Sequence, residues 1–489
     1  LSNKKRVDWK LWWHFILWSA QMISVTRKWF GNLLLEGDAH ERRKVVLLTI
    51  IYFLVISAYT VAQGLKDSIF LSVVGREYVP LARLASLFVL IPAVLLYSKV
   101  VDNVRRYQLL AIYSIAFGIL GLIFSVVVGH STIGIGNTDS SPYRIFGWLF
   151  YFFVEGYTPF VVSVMWAFVN SVSSPESAKQ SYGTMVAGSK LGGMLGAGIP
   201  WLLFALDDYA GAPIASQVFT HQLVLAVAST LLLTVPLVIY HLIRVIPGKY
   251  LHGYEAAYQF EKHQKEVGRE KTGLFSGLIL LLKYPYVLGI FGVVYFYEVL
   301  NTVLGYMRLG AAEEYSVTLA GKGAYLFQSY FLVHSVGFVI SLFGTKWLMS
   351  HMGERICLIL IPVVTGFGLL YFSLATSPSA LIFAFTVMKA VNYAFSYPVR
   401  ESLYIPTAKV IKFKSKSWID AFGSKFAKVN GASYVLLMQR AGPGVLAVAE
   451  PLFFVVIIGL WTVTAYGLGR RFERSVVNQE VIGSEEEAA

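Results

Sequence analysis

Residues 244–274, RVIPGKYLHGYEAAYQFEKHQKEVGREKTGL, are the longest polar stretch of the chain and stand almost at its midpoint. Before them lie apolar runs near 46–74, 81–98, 108–128, 145–171, 183–206 and 220–243. After them lie runs near 284–306, 323–344, 356–376, 378–398, 427–446 and 447–469, of which the run at 427–446, like that at 183–206, is weak. A helix needs roughly 20 apolar residues to cross a bilayer, so the pattern predicts about twelve crossings, six on each side of the polar stretch. Composition agrees: 56% of the 489 residues are hydrophobic and only 14% charged, where a soluble domain carries about 25% charged residues. The mean hydropathy is +0.61. The expected fold is therefore an all-α polytopic membrane protein. Its parts are a basic amphipathic segment (1–44), a six-helix bundle (45–243), a cytoplasmic linker (244–283), a second bundle (284–469) and a cytoplasmic tail (470–489).

Lys and Arg outnumber Asp and Glu by 41 to 28, a net charge of +13. In a soluble protein this would suggest nucleic acid; in a membrane protein it marks cytoplasmic loops, and no nucleic-acid partner is expected. Arg42, Arg43 and Lys44 precede the first run, Arg105 and Arg106 follow the second, Lys179 the fourth, and Lys262, Lys265, Arg269 and Lys271 the sixth. Lys346 and Arg355 follow the eighth, Lys412, Lys414 and Lys416 the tenth, and Arg470, Arg471 and Arg474 the last. Both termini are thus expected in the cytoplasm. Residues 1–44 mix Lys4, Lys5, Arg6 and Lys10 with Trp12, Trp13, Phe15 and Trp18; they lack the clean apolar core of a cleaved signal and read as a helix lying on the inner membrane face.

Six runs on each side of a central polar linker is the layout of major-facilitator-like transporters. A loose repeat agrees with it: Asp102 and Arg105 after the second run are echoed by Glu354 and Arg355 after the eighth. Gly188, Gly192, Gly193, Gly196 and Gly198 in the fifth run suit close helix approach. One cysteine, Cys357, allows neither an internal disulfide nor a cysteine metal cluster. No GxxxxGK[ST] or HExxH motif is present, and Gly321-Lys322-Gly323 lacks the spacing of a phosphate loop. Neither an ATP-hydrolysing pump nor another enzyme is indicated, and no cofactor or metal is called for.

Four charges interrupt the apolar runs: Lys66 in the first, Glu155 in the fourth, Glu298 in the seventh and Lys389 in the tenth. Each costs about 2.5–3.5 kcal/mol near a bilayer centre, so each needs a partner or a wet cavity. In a facilitator-like fold spans 1, 4, 7 and 10 line the central path. Snorkelling, or a structural Lys–Glu pair, is the plainer reading of each. Lys190, among the glycines of the fifth run, is a fifth candidate. Tyr157, Tyr295, Tyr297 and Tyr393 read as lining. Beyond the tenth run, Lys412, Lys414 and Lys416 would project from one edge of an extended strand and could cradle a polyphosphate; a loop touching anionic lipid fits them equally well.

At this segment the chain resembles a known family. Arg400-Glu-Ser-Leu-Tyr-Ile-Pro406, Lys412-Phe-Lys-Ser-Lys416-Ser-Trp-Ile-Asp420 and Gly423-Ser-Lys-Phe-Ala-Lys428 are similar to motifs of the nucleotide transporters (ATP/ADP translocases) of plastids and intracellular bacteria. Lys66-Asp67-Ser68 with Val79-Pro80, Glu155 followed by Val162-Ser163-Val164, Trp166, Phe168, Asn170 and Ala178-Lys179, and Glu298-Val299 extend the likeness into both halves. The resemblance implies a twelve-helix antiporter, usually exchanging ATP for ADP, with transport residues at Lys66, Glu155, Glu298 and the lysine cluster ending in Lys416. Departures are Thr302 where a lysine often follows Glu298, Asn392 in place of a second lysine after Lys389, Tyr397 where an acid is common, Lys190 in place of Asn, and Tyr157 in place of Trp.

The reading is a nucleotide antiporter working by alternating access, with Lys66, Glu155, Glu298, Lys389, Lys414, Lys416, Lys190 and Asn170 as substrate-binding or transport residues. Its partners are nucleotides and membrane lipid, and a monomer is expected. Its place is a bacterial inner membrane, or secondly the plastid inner envelope. The rivals are a proton-coupled facilitator for another anionic metabolite and a non-transporting scaffold or receptor.

Overall fold

Every apolar run becomes helix in the computed structural model, which describes residues 38–101, 104–173, 175–251, 276–408, 411, 415–416 and 418–484. The first half holds α1 (Ala39–Val73), α2 (Val79–Val101), α3 (Arg106–Val128), α4 (Ile145–Ser171), α5 (Pro175–Tyr209) and α6 (Ile214–Val245). The second holds α7 (Pro285–Tyr315), α8 (Leu319–Val339), α9 (Thr345–Ala375), α10 (Pro378–Val391), α11 (Ser424–Met438) and α12 (Pro443–Val477). The expected surface helix over 1–37, the linker over 252–275, Asp102, Lys412 and Lys414 lie outside the described residues. Among the described residues no strand forms; a single β-bridge joins Thr407 to Ile482.

The helices outrun their apolar runs. α7 continues through Arg308 to Tyr315, and α11 starts ahead of Lys425. Hydropathy falls at these positions, but helical hydrogen bonding does not depend on side-chain polarity, and a charge costs little where its side chain meets a partner or water instead of lipid. Among the described residues four π-helical turns interrupt the bundle: Thr158–Val162 inside α4, Ile340–Gly344 after α8, Asn392–Ser396 after α10 and Ile419–Gly423 before α11. Such widened turns are rare and collect at functional sites. At Gly353, φ is 72°, a left-handed conformation that breaks α9 into two pieces and that a Cβ would disfavour.

α5 packs against α1 and also against α8 of the other half. Its glycines explain both contacts. A Cβ on Gly196 would stand 2.6 Å from the Ser57 carbonyl oxygen and 3.0 Å from the Ser57 Cα, and one on Gly192 would stand 3.0 Å from the Phe53 carbonyl carbon. Gly198 meets the ring of Phe331 on α8 in the same way, at 3.0 Å. Backbone cannot swing aside as a side chain can, so Gly196→Ala should cost about 1–3 kcal/mol by overpacking. A thermal unfolding curve of the purified protein in detergent should show the midpoint falling by several degrees; an unchanged midpoint would mean that α1 and α5 are not held this closely.

Lys44, fully buried at the start of α1, pairs with Glu41 at 2.8 Å and donates to the carbonyls of Val172 at 3.2 Å and Tyr250 at 2.8 Å. One ammonium therefore fastens α1 to the end of α4 and to the chain leaving α6.

Candidate functional site: a charged cavity between the halves

Helices α1, α2, α4, α5, α7, α8, α10 and α11 enclose a cavity of about 470 Å³, within the roughly 300–1,000 Å³ of small-molecule sites. Eight lysines and arginines line it against three carboxylates, Asp67, Glu155 and Glu298. α1 turns one face inward with Tyr52, Ile56, Tyr59, Gln63 and Lys66, residues three or four apart. α7 does the same with Val294, Tyr297, Glu298, Asn301, Thr302, Gly305 and Arg308.

The carboxylates hold most of these cations. Lys66 Nζ lies 2.7 Å from Glu155 Oε1 and 3.8 Å from Asp67 Oδ1. Lys425 Nζ is 4.0 Å from the other oxygen of Glu155, and Lys428 Nζ is 3.9 Å from Glu298 Oε2, which also accepts from Asn301 at 3.1 Å. Arg308, 2% exposed, pairs with Asp67 and donates to Ser329 Oγ at 2.6 Å and to the Leu326 carbonyl at 3.3 Å. Tyr330 donates to the same Asp67 oxygen at 3.3 Å.

Lys190 and Lys389 are different. They are 8% and 9% exposed, and among the described residues neither has a carboxylate within 4.0 Å. Their ammoniums meet aromatic rings: Lys190 stands 4.9 Å from the centre of Tyr393, and Lys389 stands 5.6 Å from Tyr393 and 5.0 Å from Phe385. Lys389 Nζ also donates to Tyr393 Oη at 3.5 Å. A cation over a ring gains about 0.5–2 kcal/mol, whereas burying an ion costs several kcal/mol. The shortfall leaves this part of the cavity receptive to an anion.

Five of the eight residues expected from the sequence meet in this cavity: Lys66, Glu155, Glu298, Lys389 and Lys190. Lys416 does not line it. Its ammonium pairs with Glu401 at 2.6 Å in the connection between α10 and α11, beside Arg400, which does line the cavity. Asn170 lies exposed near the end of α4, outside the lining. Lys414 falls outside the described residues. The reading by apolar runs missed Arg308 because it lies beyond the end of the run at 284–306, and it gave no role to Arg83 although that residue falls inside the run at 81–98. It counted Lys425 and Lys428 as loop charges, although their spacing of three puts both on one face of α11. Asp67 was quoted in a motif and given no role.

Past the cavity, towards the turn between α1 and α2, polar contacts tie the halves together. Besides Asp67–Arg308, Arg83 donates to the Thr302 carbonyl at 2.5 Å, Arg76 pairs with Glu313 at 3.4 Å and Gln439 donates to the Glu77 carbonyl at 3.1 Å. Asp208 accepts from Ser316 at 3.2 Å, and Gln217 accepts from the Ala320 amide at 2.9 Å. The two halves are thus bridged by side chains at this end of the cavity.

Residues 143–472 match a family described as TLC ATP/ADP transporter. ADP,ATP carrier protein 4 of Rickettsia conorii is 20% identical over 490 residues, covering 89% of this chain and 93% of that protein. ADP,ATP carrier protein 1 of Rickettsia bellii is 21% identical, covering 91% and 96%. Among solved structures, a D-xylose-proton symporter superposes with a TM-score of 0.59 at 12% identity, covering 87% of this chain and 96% of its own. A bacterial homolog of the human lysosomal transporter Spinster, inward-facing and unoccupied, gives 0.51 at 16% identity, covering 90% and 95%. These two likenesses show the fold, an all-α bundle of the major-facilitator type, to which α1–α6 and α7–α12 contribute among the described residues.

Proposed function

The chain belongs to the TLC ATP/ADP transporter family, and from that premise we propose that it exchanges nucleotides across a membrane, ATP against ADP, by alternating access. The observation that carries the reading is the excess of cations in the central cavity, eight lysines and arginines facing three carboxylates. A neutral sugar has no use for that surplus; a nucleotide with three or four negative charges balances most of it. The carboxylates have a complementary task. With the cavity empty, Glu155 and Glu298 hold Lys66, Lys425 and Lys428, which would otherwise repel one another in a medium of low dielectric. An incoming phosphate chain competes for those ammoniums and releases the carboxylates.

The site residues of the proposal are Lys66, Glu155, Glu298, Lys389 and Lys190 within the cavity, with Lys414, Lys416 and Asn170 as contacts on the way in. The units that rock against each other are residues 45–243 and 284–469, joined by the cytoplasmic linker 244–283. The contacts bridging the halves at the α1–α2 end support an inward-facing state. In this reading both termini lie in the cytoplasm of a bacterium and the chain in its inner membrane, each copy acting as a monomer.

Purified protein in liposomes tests the function. Labelled ATP should enter vesicles preloaded with ADP and should not enter empty ones, and unlabelled ATP and ADP should compete for entry. Uptake into empty vesicles that requires a pH gradient would instead support the proton-coupled rival. An absence of nucleotide uptake under both conditions would overturn the reading.

A further inference from the structure

We propose that Lys190 and Lys389, flanking Tyr393, form a subsite for the terminal phosphoryl group of the nucleotide, so that Lys190 sets how strongly the carrier distinguishes substrates by phosphate number; this rests on the nucleotide-exchange reading above.

The cavity's cations divide by what neutralises them. Lys66, Arg308, Lys425 and Lys428 each have a carboxylate within 4.0 Å. Lys190 and Lys389 both lie within 6 Å of the centre of the Tyr393 ring, at 4.9 and 5.6 Å, and Tyr393 is 40% exposed. The stem of Lys190 runs alongside α8: a Cβ added at Gly337 would stand 3.7 Å from both Lys190 Cδ and Cε, at ordinary van der Waals distance. Its ammonium reaches the ring of Tyr393 after α10, and among the described residues no carboxylate within 4.0 Å draws it there. Lys389, Tyr330 and Phe385 continue the series, since Arg308 and Lys389 share both of those rings. Two ammoniums bracketing one phenol can each donate to a phosphoryl oxygen while the Tyr393 hydroxyl donates to a third. A terminal phosphoryl group, with three free oxygens, fits that donor set; a bridging phosphate, with two, does not fill it.

The subsite also joins the halves. Lys190 comes from α5, and Lys389 and Tyr393 come from α10 and the turn that follows it. A phosphoryl group bound there would be held by both halves at once.

The test compares wild type with Lys190→Asn and Lys190→Arg in ADP-loaded proteoliposomes, reading inhibition of labelled ATP uptake by unlabelled ATP, ADP, AMP and tripolyphosphate. For Lys190→Asn the half-inhibitory concentrations of ATP, ADP and tripolyphosphate should rise about tenfold, the loss of one charge-assisted hydrogen bond. That of AMP, whose one phosphoryl group is fixed to the ribose and falls short of a subsite reached by a phosphate chain, should rise much less, and Lys190→Arg should stay near wild type. An equal rise for all four competitors would mean that Lys190 only packs, and no rise for any would mean that it does not touch the substrate; either result overturns the subsite. Inorganic phosphate competing with wild type at the concentrations effective for ADP, and losing that competition in Lys190→Asn, would also overturn it, by assigning the site to the free ion. Wild type that exchanges no nucleotide would be the failure of the underlying function, a result separate from all of these.

Discussion

Replacing Glu155 with Gln should lower the exchange rate by about two orders of magnitude. Glu155 uses one oxygen on Lys66, at 2.7 Å, and the other towards Lys425, at 4.0 Å, so the substitution strands two cations. Removing one partner of a buried pair costs about 3–5 kcal/mol. The side chains here are 8% and 18% exposed in a cavity that water can enter, so the lower end applies, and about 3 kcal/mol corresponds to roughly a hundredfold. Two mechanisms reach the same loss. Lys66, released, turns to Asp67, already 3.8 Å away, and weakens the Asp67–Arg308 contact. Lys66 and Lys425 also repel each other until a substrate arrives, so the empty carrier becomes less populated in the form that binds. The measurement is initial exchange in proteoliposomes against a thermal unfolding curve. The double exchange Lys66→Glu with Glu155→Lys keeps the pair but sets the new lysine against Lys425 and the new carboxylate against Asp67, so it should recover only part of the unfolding midpoint and no transport. If Glu155→Gln exchanges at more than about a third of the wild-type rate, the pair is structural.

The second large effect is expected at Arg308. This guanidinium, 2% exposed, binds Asp67 of α1, Ser329 and the Leu326 carbonyl of α8, and lies 4.5 Å from the centres of both Tyr330 and Phe385. It is the most deeply placed of the contacts that seal the cavity towards the α1–α2 turn. Arg308→Met keeps most of the volume but leaves Asp67 with Tyr330 at 3.3 Å and Lys66 at 3.8 Å. The expected loss is again about 3–5 kcal/mol, taken from the sealed state. A reporter cysteine shows it directly. In a Cys357→Ser background, Ser86→Cys in the deep lining should resist a thiol reagent added from the α1–α2 side, and adding Arg308→Met should make it react. Asp67→Asn combined with Arg308→Met removes both charges and should restore part of the stability without restoring protection. Continued protection of Ser86→Cys in Arg308→Met would show that the remaining contacts, such as Arg83–Thr302 and Arg76–Glu313, are sufficient to close this end.

The fold could be read from the sequence because each apolar run marks helix, although among the described residues only nine helices are both long and apolar enough to cross a membrane. The site could be read only in part, for the same reason. Lys66, Glu155, Glu298 and Lys389 stood out as charges inside apolar runs, and a cavity accounts for all four. Arg308 is equally isolated, but two further acids follow at Glu313 and Glu314; a hydropathy window takes the group as the end of the span, whereas α7 continues to Tyr315. Lys425 and Lys428 vanished into a basic loop for the mirror-image reason. Lys416 drew notice as part of an alternating run, but Glu401, fifteen residues back, occupies its ammonium, and nothing in local spacing announces a partner across a turn. Nor does local spacing reveal a π-helical turn, because the extra residue is accommodated by packing between helices and leaves no mark in composition.

Those widened turns have a mechanical consequence. Each holds a surplus residue that the regular spiral on either side does not need, and three of them, at Thr158–Val162, Asn392–Ser396 and Ile419–Gly423, adjoin cavity-lining positions. Should the surplus travel along its helix, everything it passes pivots by about 100°, the angle that separates neighbours at 3.6 residues per turn. Slack of this kind lets a cation swing away from its carboxylate while the rod around it keeps its length and its neighbours. The parts of the protein that must be rigid enough to stay watertight and loose enough to reverse direction are then the same helices, with the freedom confined to single loops of backbone.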